Sequence, residues 1–161
     1  MNIRDQGKLK VLQYNVQHSK DKVLVDLIAD ERVREMDILA IQEPWTNSRD
    51  DRKGYCPSGS PFTLISTATE NTRAAIYVNR RIRPKDLEVV RVEDSLITVN
   101  LRLQIGEEEV RVAVHSAYNK PPESRSTREV PEQLKAIIRA ISNNDIPEKI
   151  LLGDFNLHHP A

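Results

Sequence analysis

Hydrophobic and polar positions alternate along this chain with two different periods, and the switches between them mark out its elements. The clearest stretch is residues 96–114. Ile97, Val99, Leu101, Leu103 and Ile105 recur at every second position, Gly106 and Glu107 interrupt, and Val110, Val112 and Val114 resume the alternation. Side chains of a strand point alternately to its two faces, so this pattern predicts a hairpin with one apolar face. Residues 9–15 and 37–43 predict two further strands. The second is continuously apolar from Ile38 to Ile41, as in a strand covered on both faces, and Pro44 ends it. Residues 62–67 and 74–79 predict two short strands, residues 87–92 an edge segment, and residues 149–153 a short buried strand. Two stretches carry helical spacing instead. Leu24, Leu27 and Ile28, extended by Val23 and Val33, follow a start at Ser19 or Asp21. Leu134, Ile137, Ile138 and Ile141 fall in a helix over residues 130–142, with Pro131 in its first turn and Asn143, Asn144 and Asp145 at its end. Residues 46–61 and 120–128 are polar and predict surface loops. Several strands with two intervening helices predict an α/β layer structure with mixed sheets.

Composition narrows this picture. The chain has 161 residues, enough for one domain with a sizeable core and too few for two ordinary ones. Aromatic residues are only 4%, so aliphatic side chains must fill that core. Lys+Arg and Asp+Glu both number 24, a balance that argues against a standalone nucleic-acid-binding module held by a basic face. Cys56 is the only cysteine, so no disulfide forms within the chain and a reducing, intracellular setting is expected. The first ten residues lack the apolar centre of a secretory signal, and no apolar run approaches the roughly 20 residues that span a bilayer, so no membrane partner is expected.

The candidate chemistry lies where buried strands run into polar residues. The first predicted strand ends in Asn15, the second in Glu43, and the last runs into Asp154 and Asn156. Strand ends present side chains to a shared cleft, and acids or amides placed there are costly unless paired or bound to a cation. An all-oxygen set suits Mg²⁺, which takes one or two carboxylates and completes its octahedron with water and substrate phosphate. No Cys/His set with structural zinc spacing is present.

These residues fall in four short motifs: Leu12-Gln13-Tyr14-Asn15, Gln42-Glu43-Pro44-Trp45, Ser116-Ala117-Tyr118 and Gly153-Asp154-Phe155-Asn156. In this order they resemble the endonuclease/exonuclease/phosphatase superfamily. The wording of Gln42-Glu43-Pro44-Trp45, Thr72-Arg73-Ala74-Ala75-Ile76-Tyr77-Val78 and Asp154-Phe155-Asn156-Leu157-His158-His159-Pro160 is closer still to the apurinic-like endonuclease domain of non-LTR retrotransposons. The resemblance covers nearly the whole chain. It implies a four-layer sandwich of two mixed β-sheets flanked by helices, and a Mg²⁺-dependent phosphodiesterase, with Mn²⁺ as a substitute ion, that nicks DNA. It further implies a nuclear setting and a reverse transcriptase domain in the parent element. Carried over by motif, Glu43 is the principal metal ligand with Asn15 beside it. Asp154 activates the attacking water, Asn156 holds that water or a phosphate oxygen, and Tyr118 contacts the scissile phosphate. Arg73, His158 and His159 are candidates for substrate contact.

The family's pattern continues with a further strand-borne Asp and a late Ser-Asp-His signature, whereas this chain ends at Ala161. The expectation is therefore a single, incomplete domain over residues 1–161, missing its C-terminal strands and part of its catalytic set. Three alternatives to a DNA-nicking enzyme follow: a catalytically inactive remnant or truncated gene product, a phosphatase or phosphodiesterase of another branch, and a nucleic-acid-binding module without chemistry. Several residues have plainer readings. Tyr14 and Tyr77 are expected to be structural, Trp45 a loop anchor, His115 a hydrogen-bonded strand histidine, and His18 a surface residue at the mouth of the site. Arg73, Arg80, Arg81 and Arg83 read as a solvated edge that discourages strand pairing, or alternatively as a phosphate-backbone contact; the Arg125/Arg128 loop has the same two readings.

Overall fold

The strands expected from the alternation pair into two four-stranded sheets. The computed structural model describes residues 8–46, 54–121 and 130–157. In the first sheet, β1 (Val11–Asn15), β2 (Ile38–Gln42), β3 (Phe62–Ile65) and β4 (Ala74–Asn79) lie in the order β1-β2-β4-β3. In the second, β5 (Leu87–Glu93), β6 (Leu96–Ile105), β7 (Glu108–Tyr118) and β8 (Glu148–Asp154) lie in sequence order. β1 runs parallel to β2 and β7 parallel to β8, while every other pairing is antiparallel, so both sheets are mixed. The turn of the β6–β7 hairpin passes through Gly106 at φ 61°, a left-handed conformation that glycine adopts without steric cost.

Period-two alternation sorts the side chains into layers. Ile38, Ile76 and Val78 of the first sheet meet Ile97, Val99, Leu101 and Val114 of the second in the central core. On the far face of the first sheet, Leu39, Ile41, Phe62 and Tyr77 receive Leu24, Ile28 and Val33 from the helical segment after β1. On the far face of the second sheet, Leu96 and Ala117 receive Ile137 of α3 (Glu132–Ser142). The result is helix, sheet, sheet, helix: the four layers expected. Each fully buried Leu or Ile contributes about 1.5–3 kcal/mol, so these three cores account for the cohesion of the stack.

Local detail departs from expectation in several places. The first helix is not continuous. A wide helical turn at Lys20–Leu24 leads into α1 (Val25–Ala29), and Asp30 (φ −60°, ψ 126°) breaks the path before α2 (Glu31–Arg34). Asp30, rather than Ser19 or Asp21, does the capping: its carboxylate accepts the N–H of Arg32 at 2.8 Å and of Val33 at 3.4 Å. The Arg32 guanidinium beside it holds the Asp30 carboxyl down at about 2. Pro131 caps α3 from outside rather than opening its first turn. Of the four arginines of the expected solvated edge, Arg80 is exposed, while Arg81 and Arg83 are drawn into ion pairs. Arg81 pairs at 2.7 Å with the buried Asp37, and Arg83 with Asp86 at 2.6 Å. Arg125 and Arg128 lie outside the described residues. Tyr77 is structural as expected, its hydroxyl donating to the Tyr55 carbonyl at 2.6 Å, but Tyr14 is 44% exposed and anchors nothing in the core. Among the described residues, no helix is long and apolar enough to cross a membrane.

Candidate active site

The inward face of each parallel strand is apolar at its start and polar at its end. On β2 the inward series is Ile38, Ala40, Gln42; on β7 it is Val112, Val114, Ser116, Tyr118; on β8 it is Ile150, Leu152, Asp154. Because β1, β2, β7 and β8 all finish at the same pole of the sandwich, these polar ends converge there. Gln42 is fully buried and donates to the Ser116 hydroxyl at 3.0 Å across the two sheets, while Gln13 donates to its amide oxygen.

Outside this buried layer sit the acids and amides. Asn15 donates from Nδ2 to Asp154 Oδ2 at 2.9 Å, and the Tyr118 hydroxyl donates to Glu43 Oε1 at 3.2 Å. Both bonds cross between the sheets. The second Asp154 oxygen accepts the backbone N–H of Asn156 at 3.1 Å, so both carboxylate oxygens are oriented while keeping lone pairs free. Asn156 donates from Nδ2 to the Asn119 carbonyl at 2.7 Å, which leaves one N–H and its amide oxygen for other partners. Burial raises the Tyr118 hydroxyl above its ordinary range, and the charge and hydrogen bond of Glu43, then the charge of Asp154, raise it further, while Arg73 opposes them. Tyr118 is therefore a protonated donor at neutral pH.

Backbone conformation places these groups. Glu43 has φ 48° and Asn156 φ 45°, left-handed values that cost a non-glycine residue about 1–2 kcal/mol. Glu43 is pinned from both sides: its N–H donates to the Arg73 carbonyl and its carbonyl accepts the His18 N–H, each at 2.8 Å. Gly153 enforces the closeness of β7 and β8, since a Cβ there would lie 2.3 Å from the Ala117 carbonyl oxygen.

The sequence matches the Endonuclease/Exonuclease/phosphatase family over residues 12–161. The chain belongs to this family. None of the curated proteins matches it. Among solved structures, this family member is similar to D. rerio TDP2 complexed with a single strand DNA product (TM-score 0.54, 11% identity, 94% of this chain and 62% of that one). It is similar to a beta hairpin deletion mutant of beta toxin from Staphylococcus aureus (TM-score 0.54, 15% identity, 94% and 68%). It is also similar to the human Nocturnin catalytic domain with bound sulfate (TM-score 0.51, 15% identity, 93% and 64%). At these identities the likeness is one of fold. The chain spans less than two thirds of the TDP2 and Nocturnin chains.

Of the family residues expected from sequence, the structure brings Asn15, Glu43, Tyr118, Asp154 and Asn156 to one pole. Arg73 lies at its edge, close enough to act on Tyr118, with Nη1 donating to the carbonyls of Glu70 and Thr72. His158 and His159 lie outside the described residues. His18 is nearer the chemistry than expected. Its Nε2 is 3.6 Å from Glu43 Oε1 and its Nδ1 is 3.2 Å from the Pro44 carbonyl. Trp45 packs as a partly buried neighbour of the core beneath α1, with the Lys20 ammonium 4.6 Å above its ring. His115 is hydrogen-bonded only on one side: Nδ1 meets the Thr98 hydroxyl at 2.9 Å, while Nε2 has no partner among the described residues. From sequence Gln42 entered only within its motif, with no role assigned, and Asn119 entered not at all. Gln42 was visible as the point where the inward face of β2 turns polar; Asn119 sits beyond the end of β7, where alternation says nothing.

The donor set fits a hard cation. Glu43, Asn15 and Asp154 offer oxygen only, and the two carboxylates share a pole at which Tyr118 and Asn15 are neutral. Among the described residues no three His, Cys, Asp or Glu side chains converge to hold a metal alone. An oxygen set with few carboxylates suits Mg²⁺, which keeps waters and takes substrate oxygens as ligands.

Proposed function

We propose that this chain is a Mg²⁺-dependent phosphodiesterase domain that nicks DNA, of the retroelement branch of its family. Membership of the family implies metal-dependent phosphodiester hydrolysis in general. The observation that supports the hydrolytic reading is the pair of inter-sheet contacts, Asn15 to Asp154 and Tyr118 to Glu43, which bring two carboxylates, an amide and a hydroxyl to one pole. Nucleic acid as substrate is supported by the likeness to D. rerio TDP2, whose structure holds a single strand DNA product. The retroelement branch rests on the wording of the Gln42–Trp45 and Asp154–Pro160 segments.

In this reading Glu43 and Asn15 would hold the ion, which when bound polarises the phosphoryl oxygen and stabilises the leaving oxyanion. Asp154 accepts the proton of the attacking water on a lone pair left free by Asn15 and Asn156, as the water oxygen bonds to phosphorus and the ester P–O bond breaks. Asn156 donates its remaining N–H to that water or to a phosphate oxygen. Tyr118, whose one hydroxyl proton goes to Glu43 in the free chain, releases that bond and donates to the phosphate.

The test is nicking of supercoiled plasmid in Mg²⁺. Wild-type chain is expected to convert plasmid to the open circle, and Glu43→Ala to lose at least about a hundredfold in rate. Equal background from both proteins would sink the enzyme reading and leave the inactive alternative. Cleavage of inositol phosphates but not of plasmid would move the chain to another branch.

A further inference from the structure

Asn119 directly follows Tyr118 and is 0% exposed. Three of its groups bond the turn that carries Asp154 and Asn156. Its backbone N–H donates to the Asp154 carbonyl at 2.8 Å, its Nδ2 donates to the Phe155 carbonyl at 2.8 Å, and its own carbonyl accepts Asn156 Nδ2 at 2.7 Å. The Nδ2 bond fixes which way the carboxamide points, and Oδ1 is then a buried acceptor without a partner among the described residues. Burying such an acceptor is unfavourable, so the residue is not explained by packing. Its bonds fall instead on consecutive residues of a turn whose Asn156 is held at φ 45°. A backbone in that region persists only where its surroundings over-determine it.

From this we infer that Asn119 is a positioning residue for hydrolysis: it ties Asp154, Phe155 and Asn156 to the end of β7, and thereby holds the water-activating carboxylate in register with Tyr118. The inference rests on the functional reading above. Its physical content is that Asp154 is steered through its own turn. Oδ1 takes its orienting hydrogen bond from the Asn156 N–H, so a turn released from Asn119 carries the carboxylate with it. Misplacement of a reacting group by about an ångström costs on the order of a hundredfold in rate.

The experiment compares the wild-type chain with Asn119→Ala, Asn119→Asp and Val112→Ala, the last a destabilising control in the central core away from the pole. Plasmid nicking is read as kcat and KM with its Mg²⁺ half-saturation, and amide hydrogen exchange is measured without substrate. Asn119→Ala is expected to lower kcat about tenfold to a hundredfold, with KM and Mg²⁺ half-saturation within about threefold of wild type. Exchange at the Asn156 amide rises while that of β2 is unchanged. Asn119→Asp keeps the size and the backbone bonds but lacks the Nδ2 donor, so it falls with the alanine variant, and it carries the test if the alanine variant does not fold. Wild-type kcat in Asn119→Asp overturns the inference. So does an equal loss of kcat in Val112→Ala at matched loss of Tm. If the wild-type chain does not hydrolyse DNA, the functional reading fails by itself. The exchange comparison still decides Asn119, because unchanged protection at Asn156 in its variants refutes the positioning.

Discussion

His115 shows at the scale of one residue how burial sets a protonation state. It lies on the outer face of β7 beneath α3, fully buried, and burial pushes its imidazole down to about 4, with the charge of Lys149 adding to the effect. The folded value is below the unfolded one of about 6.5, so between these values the unfolded chain binds the extra proton. Stability is therefore full above about pH 6.5, declines as pH falls toward 4, and levels off below; a shift of this size is worth about 3 kcal/mol. Urea unfolding at pH 7 and pH 4.5 should show this slope, and His115→Gln should flatten it. A slope unchanged by the substitution would assign the effect elsewhere. Residues of this kind were hard to read in the sequence. Asn15, Glu43 and Asp154 were legible because each is a polar residue at the end of an apolar strand. His18 and Asn119 were not, because their roles depend on the backbone: His18 is turned toward Glu43 by a left-handed φ of 56°, and Asn119 acts mainly through main-chain partners.

Among the elements, the pairing of β7 with β8 is the junction on which the site depends. It is parallel, it sets Ala117 opposite Gly153 and Tyr118 opposite Asp154, and its closest approach admits no side chain at position 153. Gly153→Ala forces backbone against backbone. It should destabilise the chain by about 1–3 kcal/mol, and it should move Asp154 away from Tyr118 and Asn15. Thermal unfolding and nicking together check this; a variant with wild-type Tm and rate would show that the strands separate freely. Strands were well marked in the sequence because period two is imposed by the pleat itself. The first helix was marked less faithfully. Leu24, Leu27 and Ile28 gave the right buried stripe, but the break at Asp30 comes from a side chain bonding the next turn's amides, which spacing does not encode.

On the scale of the whole molecule, order of layers followed from the alternation, because strands with one or two apolar faces have few ways to stack. The convergence of four strand ends at one pole did not, since it requires knowing that β1 pairs with β2, β7 with β8, and sheet with sheet. Side-chain bridges between the sheets at that pole, among the described residues, include Asn15 to Asp154, Tyr118 to Glu43, and Gln42 to Ser116. Closing the sandwich and assembling the candidate site are thus the same event. Folding and cation binding are then thermodynamically linked: an ion that binds only the closed sandwich at a hundred times its dissociation constant stabilises the entire chain by about 2.7 kcal/mol. Tm should rise with Mg²⁺ for wild type and stay flat for Glu43→Gln. On the proposed function, the melting curve of this chain doubles as a binding isotherm for the cation, readable before any substrate is known.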